Sequence, residues 1–202
     1  MTQIKRVYWD ACVFIKHLSP KSDPKTKSIL DGIDEVVAEA EAGRTVIITS
    51  SITRIEVLDC KIPLSGEALY LKFLRREIVQ EYDVDPRIGN AAHDIRVFYQ
   101  QKGHTLSVAD SIHIATACLR QADELFTLEG TGKNPKMTAL SGRIADRWDL
   151  TICAPRASMA RLFPLRPSDT DKAATNSPDE QPPTEVPSIE VATIEKRDDE
   201  KT

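Results

Sequence analysis

Cysteine is sparse and scattered: Cys12, Cys60, Cys118 and Cys153 stand far apart, with no C-x-x-C pair among them. That argues against a structural zinc site, and in a chain of 202 residues a disulfide framework is not expected either. Several of these thiols fall in apolar runs, where a free cysteine behaves as a small core residue. The first residues carry no apolar signal core, and no run approaches the length that crosses a bilayer. A cytoplasmic protein is the expectation. No G-x-G-x-x-G follows the first apolar strand, which removes the usual support for a dinucleotide site. A surplus of positive charge is missing as well. From Pro164 onward there are five Lys/Arg against ten Asp/Glu, which leaves 22 basic and 21 acidic residues before it. That near-neutral part implies no general attraction for polyanions.

The chain alternates short apolar strands with helical patterns. Val7-Tyr8-Trp9 ends a first strand with Asp10 directly behind it, and Val13, Phe14, Ile15 and Leu18 continue at helical spacing. Between Pro24 and Ala42 an apolar stripe of Ile29, Leu30, Ile33, Val36, Val37 and Ala40 predicts a helix that stops at Gly43. Thr45–Thr49 is a second, β-branched strand, as expected where both faces of a sheet are covered. Helices are predicted from Ser50 to Asp59 and from Ser65 to Arg76, and a third strand from Ile78 to Val84. Asp85 caps a helix with Pro86 at its first position that ends at Gly103. Leu106–Glu129 then holds a helix, a turn and a short strand over Leu125–Thr127. Gly130–Gly142 reads as a loop or broken helix, and Leu150–Ala154 as a last strand. Alternation of this kind predicts an α/β protein, a central, mainly parallel sheet with helices on both faces. Two regions are expected: a folded domain over 1–163 and a disordered, acidic, proline-rich tail over 164–202.

In open parallel sheets, ligands gather beyond the carboxyl ends of the strands. Asp10 and Glu129 fall at or just past such ends, Glu56 falls close by, early in the helix after the second strand, and Asp110 opens the helix behind Ser107. Four converging carboxylates repel one another unless a cation or protons compensate. Oxygen-only ligation selects hard cations, Mg²⁺ or Mn²⁺, which can also bind a phosphodiester. Each acid has a plainer reading. Asp10 can cap the helix after it, Glu56 fits T-x-x-E with Thr53, Asp110 fits a capping box with Ser107, and Glu129 can be a solvated turn acid. His113, inside an apolar helix, reads as a satisfied core or interface histidine. Arg54, Arg87, Arg96, Lys133 and Lys136 are candidate phosphate contacts or plain surface charges.

The runs VYWDACVFI, TSSITRIEVL, LSVADSIHIATA and LFTLE resemble PIN-domain proteins in order and approximate spacing, and the match covers roughly Ile4 to Pro155. Many of those are VapC-type toxin ribonucleases of bacterial toxin–antitoxin pairs. The resemblance implies a three-layer α/β/α PIN-like fold and a Mg²⁺/Mn²⁺-dependent endoribonuclease acting on RNA. It also implies a protein that is often a homodimer and often held inactive by an antitoxin protein. Asp10, Glu56 and Asp110 match its three best-marked acids, and Glu129 stands where a fourth, commonly Asp, is found. Cys12 replaces a frequent Asn or Ser and is expected to cost the carboxylates a hydrogen-bonding partner. A PIN nuclease that processes RNA without being a toxin, and a catalytically weak RNA- or protein-binding PIN domain, are the alternatives. An aspartate-nucleophile phosphatase is disfavoured, because Cys12 occupies the place of its second Asp.

Overall fold

The computed structural model describes residues 4–18, 27–60, 64–128 and 137–157. Glu129, Lys133, Lys136 and the expected tail over 164–202 lie outside the described residues. The elements run β1 (Lys5–Trp9), α1 (Ala11–Leu18), α2 (Lys27–Glu41), β2 (Thr45–Ser50), α3 (Ser51–Asp59), α4 (Leu64–Leu74), β3 (Val79–Tyr82), α5 (Pro86–Gln101), α6 (Val108–Leu119), β4 (Glu124–Phe126), β5 (Gly142–Ile144) and β6 (Trp148–Cys153). The strands form one sheet in the order β3-β2-β1-β4-β6-β5. All neighbours are parallel except β5 and β6.

Alternate side chains of the inner strands enter two separate cores. Val7, Trp9, Ile47 and Phe126 pack with α1, α2 and α4, while Tyr8, Ile48 and Leu125 pack with α5 and α6. These strand residues are fully buried, so each aliphatic one stabilises the fold by about 1.5–3 kcal/mol. The helices match their patterns. Along α5, Ile88, Ala91, Ala92, Ile95 and Tyr99 are buried, at the spacing of one helical face. In α6, seven of twelve residues are buried, so little of that helix faces water. Asp85 caps α5 as expected, its carboxylate accepting from the Ile88 amide at 2.9 Å. Gly43 ends α2 at φ 72°, a left-handed turn that suits glycine.

Two features depart from the sequence expectation. The described end of the stretch read as a loop or broken helix holds a 3₁₀ turn over Met137–Leu140, and at its last residue, Gly142, begins the edge strand β5, which the sequence did not predict. β5 pairs antiparallel with β6 through a tight turn in which Ala145 and Asp146 both have positive φ, closed by the Arg147 amide on the Ile144 carbonyl at 2.9 Å. A turn of that shape normally advertises itself with Asn-Gly or Asp-Gly, and Ala-Asp does not. Among the described residues, no helix is long and apolar enough to cross a membrane.

The strand order fixes where a ligand can sit. After β1 the chain builds outward through β2 and β3, then returns to place β4 on the other side of β1. The connections at β1 and β4 leave in opposite directions, and a crevice opens at the carboxyl ends of these two strands. Asp10 stands at that position.

Candidate metal centre

Asp10 follows β1 directly, and its amide donates to the Phe126 carbonyl of β4 at 3.1 Å, so the two strand ends are tied at the crevice. Asp10 is 8% exposed, and its carboxylate is held from one side. The Thr127 hydroxyl donates to Oδ2 at 2.8 Å, and the Cys12 thiol donates to the same oxygen at 3.2 Å. Cys12 Sγ in turn accepts the Leu128 amide at 3.0 Å. The thiol therefore supplies a partner that the sequence comparison expected to be lost. Burial, with Asp10 beside it, pushes the Cys12 thiol far up, so it stays a protonated donor.

Glu56 comes from the middle of α3. The capping box suggested by Thr53 and Glu56 is not formed: α3 begins behind Ser50, which makes no side-chain cap bond. Thr53 bonds the Thr49 hydroxyl at 2.9 Å, and Thr49 bonds the Trp9 carbonyl at 3.1 Å, which fastens the end of β2 to β1. Glu56 is half-buried and turns inward, its Oε2 lying 2.7 Å from His113 Nε2.

His113 joins the two acids. It is 1% exposed, and its Nε2 also lies 3.4 Å from Asp10 Oδ1. On the other side of the ring, Nδ1 meets the Tyr8 hydroxyl at 2.8 Å, and that hydroxyl meets Ser50 Oγ at 2.8 Å. Burial alone would lower the histidine pKa. The Tyr8 oxygen, the hydrogen bond to Glu56 and the Asp10 charge outweigh it, and the net shift is well upward. As an imidazolium the ring donates from both nitrogens, to Glu56 and to Tyr8, which leaves the Tyr8 proton for Ser50.

Asp110 forms the reciprocal capping box of α6: its amide donates to Ser107 Oγ at 2.9 Å, and its Oδ2 accepts the Ser107 amide at 3.3 Å. It stands one turn before His113, on the same helix face. Its Oδ1 has no hydrogen-bond partner among the described residues. Glu129 lies outside them. Of the phosphate candidates, Arg54 pairs with Glu81 and Arg96 Nε donates to the Leu106 carbonyl at 3.3 Å, while Arg87 is exposed on α5.

The group that converges is thus Asp10, Glu56 and His113, which offer donor atoms all within 4.8 Å of one another. The expected set was carboxylates alone. Two carboxylate oxygens and an imidazole nitrogen, fixed from behind by Thr127, Cys12 and Tyr8, fit a small divalent cation in both spacing and donor chemistry. Beside them, at the ends of β4 and β6, a cleft of ≈ 520 Å³ is lined by Thr127, Leu128, Ile152, Cys153 and Arg156, among others.

No protein-family model matches the chain, and no curated protein matches its sequence. Solved structures do match in fold. FitAcB from Neisseria gonorrhoeae aligns at 14% identity over 74% of this chain and 97% of the other, with a TM-score of 0.51. FitAB bound to an IR36 DNA fragment aligns at 15% identity over 72% of this chain and 94% of the other, with a TM-score of 0.50. VapC20 from Mycobacterium tuberculosis, a Sarcin-Ricin loop cleaving toxin, aligns at 12% identity over 61% and 90%, with a TM-score of 0.48. The architecture is the PIN-like α/β/α fold that the sequence resemblance implied.

Proposed function

We propose that this chain is a divalent-metal-dependent endoribonuclease that hydrolyses RNA phosphodiester bonds, acting as the toxin of a toxin–antitoxin pair. The observation that carries this reading is the meeting of Asp10 and Glu56, from separate elements, at the crevice between β1 and β4. Carboxylates brought this close favour a cation between them. Asp10 is presented with Oδ2 already bonded to Thr127 and Cys12, which leaves Oδ1 turned toward the centre. Glu56 reaches the same point from α3. Asp110, with one oxygen outside its capping box, is proposed to bind through water from the start of α6, and Glu129 is proposed as the fourth acid. Bound Mg²⁺ or Mn²⁺ supplies a Lewis acid for the phosphodiester and acidifies an attacking water. The neighbouring cleft gives an RNA strand a place beside these acids, with Arg156 as a positive contact on its wall. On the sequence resemblance, an antitoxin protein and a second copy of this chain are the proposed partners. A folded domain over 1–163 is proposed to carry the whole activity, in the cytoplasm.

The test is direct. The purified chain with Mn²⁺ or Mg²⁺ should cleave a single-stranded RNA pool, and EDTA or Asp10→Asn should stop it. Equal cleavage by the Asn variant would reject the reading. Growth arrest on expression, relieved by Asp10→Asn, tests the toxin role separately.

A further inference from the structure

We infer that His113 is itself a ligand, so that the centre is a mixed nitrogen–oxygen site that takes a first-row transition ion in preference to Mg²⁺. The inference rests on the proposal that Asp10 and Glu56 hold a metal, and it names which metal. Its ground is the geometry of the ring. Nε2 points at Glu56 Oε2, 2.7 Å away, and at Asp10 Oδ1, 3.4 Å away. The nitrogen lone pair lies along the same direction as that N–H, so a ring turned this way presents the pair to the gap between both acids. Donors each about 2.0–2.1 Å from one ion, at right angles or tetrahedral, stand roughly 2.8–3.4 Å apart. The Asp10 pair already has that spacing, and the Glu56 pair reaches it by opening slightly.

A second observation points the same way. The far nitrogen of a metal-bound histidine almost always bonds an oxygen that fixes ring orientation and tautomer. Here Nδ1 bonds the Tyr8 hydroxyl, which is fully buried and bonds Ser50 in turn. Tyr8 and Ser50 sit on β1 and β2, under the crevice, so the ring is set by the sheet itself and cannot swing away as a surface histidine would. Two carboxylates without the imidazole would suit Mg²⁺, which demands oxygen donors. Adding imidazole favours Mn²⁺ and the later ions of the series.

The test uses the full chain and reads binding rather than cleavage. Calorimetric titration should show Mn²⁺ bound at least about tenfold more tightly than Mg²⁺, the scale on which one ligand or its support changes metal affinity. The Mn²⁺ complex should show ¹⁴N coupling by pulsed electron paramagnetic resonance. His113→Gln should lose the coupling and most of the preference while still binding Mg²⁺. Tyr8→Phe keeps the ring but frees its orientation, and should weaken Mn²⁺ about tenfold with little effect on Mg²⁺. Should His113→Gln fail to fold, the coupling in the unaltered protein and the Tyr8→Phe titration still decide. Saturable binding of both ions without nitrogen coupling would overturn this inference and leave the metal centre standing. No saturable binding of either ion would overturn both, and would mark His113 as a fixed positive charge between two acids.

Discussion

On the proposed function, Asp10 shows how much of a metal-binding carboxylate lies in its neighbours. One oxygen accepts from Thr127 and Cys12, and the other faces His113. Cys12→Ser keeps a donor and an acceptor in place and should leave metal affinity close to that of the parent. Cys12→Ala removes the thiol from Asp10 and the acceptor from the Leu128 amide. It should lower metal affinity by about tenfold and stability by about 1 kcal/mol, read by calorimetry and thermal melting. Asp110→Ala separates two roles. Loss of the capping box costs about 1 kcal/mol of stability. On the proposed function, cleavage should fall much further than that figure explains. Unchanged cleavage at lowered melting temperature would make Asp110 a cap and nothing more. Asp10 was visible in the sequence because it stands directly behind an apolar, aromatic run, and Glu56 because it falls in the helix that follows the second, β-branched strand. His113 was visible only as a histidine in an apolar helix. Its partners, Glu56 and Tyr8, are 57 and 105 positions away, and no local spacing encodes a contact of that range. The one hint is that it shares a helix face with Asp110, three residues earlier.

At the scale of elements, long periodic helices and central strands were legible because one rule, burial of a repeating face, decides them. β5 was not, because three residues with a single buried side chain carry no period. The capping pattern T-x-x-E at α3 was a false lead: the helix starts earlier, and both residues are engaged elsewhere. Helix α6 offers a separate prediction through Cys118, a thiol packed into the α5–α6 core. Burial pushes its pKa up to about 12. The unfolded chain loses this proton near 8.5, so between there and 12 the unfolded state binds fewer protons than the folded one. Stability therefore falls as pH rises, by about 1.4 kcal/mol per pH unit from this group. Cys118→Ala should flatten the alkaline arm of a plot of unfolding free energy against pH. An unchanged slope would show that the thiol titrates freely in the fold.

Across the whole molecule, the order β3-β2-β1-β4-β6-β5 explains why residues far apart in sequence share one crevice. It was legible only as a class, since alternating strands and helices give a parallel sheet without giving its order. One contact fastens the end of this sheet. A Cβ placed on Gly32 of α2 would lie 2.4 Å from the backbone nitrogen of Arg156, just past β6. Gly32→Ala should thus displace the backbone of one of these segments and destabilise the protein by about 1–3 kcal/mol or more, measured by denaturant titration. Wild-type stability in that variant would show that residues 154–157 do not lie on α2.

That notch has a bearing on the order in which a chain emerging from the ribosome can mature. Asp10, Glu56 and His113 are all synthesised before the turn into β4. The strand that covers the open edge of β4, and the backbone that drops into the groove at Gly32, arrive about thirty residues later. On the proposed function, a nascent polypeptide thus carries Asp10, Glu56 and His113 before β6, which pairs with β4, and the backbone seated at Gly32 have been made.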